Sequence, residues 1–154
     1  MANYRQGLII DVHGQSHPEN WIEIGYYFTL SELNLAVLPN ALSSSVNTMK
    51  ILSNYSLEEI IRGQVSLGGL FENSFGLKSV PSPIYPSPRN GNYFNGGFIT
   101  ATHGSFYPTP YSMNAIQIEF PFYMRDDPNY LENAKKAASV LFDFYWLHSF
   151  DKLI

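Results

Sequence analysis

The apolar run Leu8-Ile9-Ile10 gives way abruptly to Asp11-Val12-His13-Gly14-Gln15-Ser16-His17-Pro18. A short β-branched run of this kind predicts a strand buried on both faces. In an open α/β sheet, ligands bind beyond the carboxyl ends of the strands, which is where this run delivers an acid and two imidazoles. Histidine is both a metal ligand and an acid/base, and a nearby carboxylate can fix its tautomer. Asp-x-His is not specific on its own, and a polar turn with a hydrogen-bonded His13 is the alternative reading of the same residues.

The rest of the chain limits what this segment can serve. Its 154 residues predict a single domain, 1–154, with room for a real core. Charged residues make up 14% and the formal net charge is −4 without any Lys/Arg cluster, which argues against a nucleic-acid surface. The absence of cysteine removes disulfides, thiolate metal sites and cysteine nucleophiles together. No run of eighteen apolar residues occurs, so no membrane span is predicted. Met-Ala-Asn-Tyr-Arg-Gln before Gly7 has no apolar core of a secretion signal, and a cytoplasmic location is the expectation.

Strands are predicted near 7–12, 21–27, 97–102 and 114–120, and helices near 41–54, 57–62, 66–74 and 128–148. In the second strand Ile22, Ile24 and Tyr26 share one face, and Trp21, Glu23 and Gly25 the other. A carboxylate on such a strand needs solvent or a partner, and an exposed edge position for Glu23 meets that need most simply. Ser56-Leu-Glu-Glu59 reads as a capping box opening a helix that stops near Gly63. Arg62, before Gly63-x-x-Ser66, is placed either to hold an anion or to face solvent. Residues 79–96 carry Pro81, Pro83, Pro86 and Pro88 and read as a long loop. Its tyrosines and phenylalanine argue for an ordered flap over a cleft, with Tyr93 or Phe94 directed inward.

His103-Gly104 ends the third predicted strand. Ala115, Gln117 and Glu119 share one face of the fourth, and Glu119 stands two residues before Pro121. The last helix has Asp127 as N-cap and Pro128 in the first helical position. Leu131, Ala134, Ala138, Leu141, Phe142 and Tyr145 form its predicted apolar face, and His148 near its end reads as structural.

Several motifs then occur in one order: Gly7-Leu-Ile-Ile-Asp-Val-His-Gly-Gln-Ser-His-Pro18, Trp21-Ile-Glu-Ile-Gly-Tyr26, Ile61-Arg-Gly-x-x-Ser-Leu-Gly68 and Val80-Pro-Ser-Pro83 come first. Tyr93-Phe-x-Gly-Gly-Phe98, Thr102-His-Gly-Ser105 and Ala115-Ile-Gln-Ile-Glu119 follow. Together they resemble the C-terminal portion of the N-formylglutamate amidohydrolase-like family over nearly the whole chain. The resemblance implies a zinc-carboxypeptidase-like fold, a three-layer α/β/α sandwich around a mixed sheet. It also implies amide hydrolysis of a small acyl-amino acid or peptide-like substrate by zinc-activated water.

By the same resemblance His13 is a metal ligand and Glu119 the catalytic general base. Arg62, Tyr93, His103 and Arg125 are the implied substrate-binding residues. The family's first two ligands, a His and a Glu a few residues apart, have no counterpart, since His-x-x-Glu is absent. The chain therefore reads as N-terminally truncated, with zinc weakly held or absent and an exposed sheet edge inviting self-association. Two functions remain open: a metal-dependent amidohydrolase of the formylglutamate type, or a non-catalytic remnant keeping the fold and a small-molecule pocket.

Overall fold

The computed structural model describes residues 7–106, 113–126 and 128–149. Strands β1 (Leu8–Gln15), β2 (Ile22–Gly25), β3 (Ser79–Val80) and β4 (Asn114–Pro121) form one sheet in the order β1-β4-β2-β3. β1 runs parallel to β4, β4 antiparallel to β2, and β2 parallel to β3. Around this mixed sheet lie α1 (Leu30–Leu33), α2 (Asn47–Leu52), α3 (Leu57–Arg62), α4 (Leu67–Phe75), α5 (Phe98–His103), α6 (Phe122–Asp126) and α7 (Tyr130–Ser149). The chain is thus an α/β protein.

Alternation sorts the two faces of the sheet. Ile22, Ile24, Ile116 and Ile118 pack with Val46, Met49, Ile60, Ile61, Leu67, Phe71, Val140 and Phe144 into one core. Glu23, Gln117, Glu119, Asp11 and His13 project from the other face. Ser56 opens α3 with its hydroxyl accepting the Glu59 amide, while Glu59 accepts the Ser56 amide. α4 ends at Gly76, whose φ of 65° is the left-handed cap that glycine adopts without strain.

Several expectations are corrected. The segment expected as a strand at 97–102 is the helix α5, with the Ala101 amide donating to Gly97 O at 3.0 Å. Its β-branched residues favour extended backbone, but the Thr100 hydroxyl donates to Gly97 O at 2.8 Å and supports the first helical turn instead. The helix expected over 41–54 is split into a 3-10 turn at Ala41–Ser43 and α2. Between them Ser44 is extended, and Ser45 bonds Tyr26 and Ala115 of the sheet region through its backbone. The loop 79–96 is not structureless at its start, because β3 pairs there with β2.

α7 begins at Tyr130, two residues beyond Pro128, and the Asp127 cap lies outside the described residues. Its buried residues are Ala137, Val140, Phe144 and His148. The expected face is only partly used: Leu141 packs against the core, while Leu131 and Phe142 are exposed. His148 is structural. Its ring bridges the Ser53 hydroxyl at 3.0 Å and the Val65 carbonyl at 2.9 Å.

Candidate functional site

Three strands bring three ionisable side chains into one row. The parallel register sets His13 opposite Glu119, and the antiparallel register sets Glu23 opposite Glu119 from the other side. The adjacent row on that face is Asp11, Gln117 and Gly25. β1 continues to Gln15, so Asp11 and His13 lie within the strand, not beyond its end as the apolar run suggested. Pleating then aims both side chains at the face that carries Glu119.

The pairs within these rows differ in burial. His13 Nε2 lies 2.9 Å from Asp11 Oδ1, with the imidazole half exposed. Glu119 is buried and accepts Gln117 Nε2–H at 2.8 Å. Burial pushes its carboxyl above the usual range, and Glu23 pushes in the same direction. The His13 imidazole, the Gln117 amide and His17 oppose that push without cancelling it.

Glu23 is fully buried, correcting the expectation of an exposed edge, because β2 is flanked by β4 and β3. One of its oxygens meets His17 Nδ1 at 2.7 Å, and the other accepts the Phe94 amide at 2.7 Å. Gln15 shapes the turn that delivers His17, donating to Trp21 O at 2.7 Å and accepting the His17 amide.

Residues 92–95 cross this face as a strap. Glu19 accepts the Asn92 amide at 3.1 Å, Tyr93 donates its hydroxyl hydrogen to Ile24 O at 2.7 Å, and the Tyr27 amide donates to Asn95 O at 2.7 Å. The Phe94 ring stacks on His17 with centroids 5.0 Å apart. A side chain at Gly25 would put its Cβ 2.5 Å from Gly96 N, so glycine permits the strap's close approach. The flap therefore lies over the sheet, with Tyr93 turned inward and Phe94 half exposed above His17.

Of the four residues expected to bind substrate, only Tyr93, in the strap, lies at this face. Arg62 bonds Glu58 and the carbonyls of Leu33, Leu35 and Ala36, tying α3 to the segment after α1. It is neither an anion holder nor a solvent-facing side chain. Tyr93 is engaged with the Ile24 carbonyl, and burial, then Tyr26 and Glu23, holds its phenol well above its ordinary range. His103 is exposed at the end of α5. Arg125 donates to Phe120 O at 3.1 Å and Gln15 O at 2.9 Å, closing the ends of β4 and β1 on the face of Val12 and Gly14, opposite the row.

Gln117 is the polar partner that sequence reasoning left without a role, and the pairing of His17 with Glu23 was not foreseen. The signal for Gln117 was its position two residues before Glu119 on an alternating strand. Nothing local paired His17 with Glu23, which lies across a turn.

Zinc at a catalytic site normally takes three protein ligands and a water. Among the described residues no group of three His, Asp or Glu converges to hold a metal ion. The donor set therefore does not fit a catalytic zinc. No helix among the described residues is long and apolar enough to cross a membrane. Comparison with family models, characterised proteins and solved structures finds no match to this chain.

Proposed function

We propose that the polar face of β1, β4 and β2 is an amide-ligand site of the N-formylglutamate amidohydrolase type. This chain by itself holds a small acyl-amino acid there rather than cleaving it. The row His13–Glu119–Glu23 is the observation that carries the reading, since it sets a half-exposed imidazole beside a buried carboxyl. Glu119, whose carboxyl burial pushes up, and Gln117, which donates to it at 2.8 Å, face the acyl group together. His13, with Nε2–H directed to Asp11, keeps Nδ1 as an acceptor for the amide N–H. Glu119 remains the group that would act as general base in a hydrolytic relative. The donor set gives no ground for a metal-routed step here.

The test is calorimetric titration of wild type, His13→Ala and Glu119→Ala with N-formylglutamate and N-acetylglutamate. Saturable one-to-one binding, weakened at least about tenfold in both variants, is the expected result; tenfold is ~1.4 kcal/mol, the scale of one hydrogen bond. Binding unchanged in both variants, or no binding heat in wild type, would overturn the reading.

A further inference from the structure

Tyr27 follows β2 with φ 72°, in the left-handed region that an aromatic residue rarely adopts. Hydrogen bonds on either side fix that backbone: the Ser45 amide donates to Tyr26 O at 3.0 Å, and the Tyr27 amide donates to Asn95 O at 2.7 Å. Tyr26 and Phe28 are fully buried, while Tyr27 between them is 39% exposed. Its ring meets Phe106 edge to face, with centroids 5.0 Å apart and planes at 71°. Phe106 is itself anchored, its carbonyl accepting Asn47 Nδ2–H at 3.0 Å. Backbone strain held in this way gathers at ligand sites, which directs attention to what the two rings border.

Both rings line a cleft of about 330 Å³, together with Thr29, Glu32, Leu42 and Asn95. Glu32 belongs to the cap of α1, where its Oε2 accepts the Thr29 amide and the Thr29 hydroxyl, each at 2.7 Å. These bonds hold the carboxylate in place, and among the described residues no cation pairs with it. The cleft thus combines two aromatic rings at a wide angle with one carboxylate that has no counter-ion.

That combination selects a cation of one kind. The face of an aromatic ring is the negative part of its quadrupole and attracts a cation within about 6 Å of the centroid. A primary ammonium is strongly hydrated and needs acceptors for three hydrogens. An ammonium fully substituted by methyl groups needs none, and its methyls pack on the rings and on Leu42. The geometry points to a binding site for a small quaternary ammonium compound, its methylated head against Tyr27 and Phe106 and its charge offset by Glu32. None of the cleft residues belongs to the row His13–Glu119–Glu23, so this site stands whether or not that row binds an amide.

The test is a proton NMR titration of the whole protein with choline and with neohexyl alcohol, the uncharged carbon isostere of choline. Choline should bind one to one and at least about fivefold more tightly than the alcohol, the factor that a modest cation–π attraction supplies. Tyr27→Leu and Phe106→Leu keep apolar bulk without the aromatic face, and each should weaken choline by a similar factor. The ring signals missing from their spectra should be those that choline shifts in wild type. Glu32→Gln removes the charge while a glutamine can still serve the cap of α1, so it should weaken choline and leave the alcohol unchanged. Equal affinity for choline and the alcohol in wild type, or no choline binding at millimolar concentration, would overturn the proposal. So would a Glu32→Gln variant that keeps the wild-type circular dichroism and binds choline as tightly.

Discussion

His13 and Glu119 face each other across the parallel β1–β4 pair, an imidazole half in solvent against a carboxyl that is buried. Burial raises the carboxyl above its ordinary 4.5, so folding favours its protonated form. Stability from this group is therefore complete below about pH 4.5 and is lost as pH rises through the raised folded value. Glu119→Gln removes that dependence. In urea melts from pH 4 to 7 the variant should gain on wild type as pH rises, whereas parallel curves would show that Glu119 is not raised.

Glu23 joins two segments by accepting from His17 on one oxygen and from Phe94 on the other. Glu23→Ala leaves both donors without their partner and should cost about 3–5 kcal/mol. Hydrogen exchange should show the Phe94 amide losing protection. An amide that stays protected in the variant would mean the strap is held by other contacts.

Arg62 ties α3 to the end of α1 and the residues after it. Arg62→Ala removes charge-assisted bonds to Glu58 and three carbonyls and should lower stability by roughly 1.5–3 kcal/mol. Titration with N-formylglutamate should be unaffected, and a weakened titration would return Arg62 to the site.

At His148 a buried ring bridges α7 to Ser53 and to the Val65 carbonyl. His148→Phe keeps the aromatic volume beside Phe144 and leaves both polar groups without the ring, at a cost of about 1–3 kcal/mol. Thermal melts check this directly; an unchanged midpoint would contradict the bridge.

What the sequence made legible was local. Ser56 and Glu59 announced α3, and strict alternation from Asn114 announced β4 with the faces of Gln117 and Glu119 correctly sorted. What it hid was decided at a distance. Ile99 and Thr100 read as strand residues, yet they form part of α5. α7 carries apolar residues on two faces, so periodicity alone did not show that Val140 and Phe144 would be buried and Phe142 exposed. Arg62 met its carbonyl partners in a segment nearly thirty residues earlier, and Glu23 met His17 across a turn.

The most direct measurement is zinc content after dialysis, followed by N-formylglutamate hydrolysis with added zinc on wild type, His13→Ala and Glu119→Gln. The account predicts substoichiometric zinc and no rate in wild type above that of Glu119→Gln, because among the described residues no group of three His, Asp or Glu converges to hold the ion. Stoichiometric zinc, with hydrolysis present in wild type and abolished in both variants, would contradict it and establish an active hydrolase.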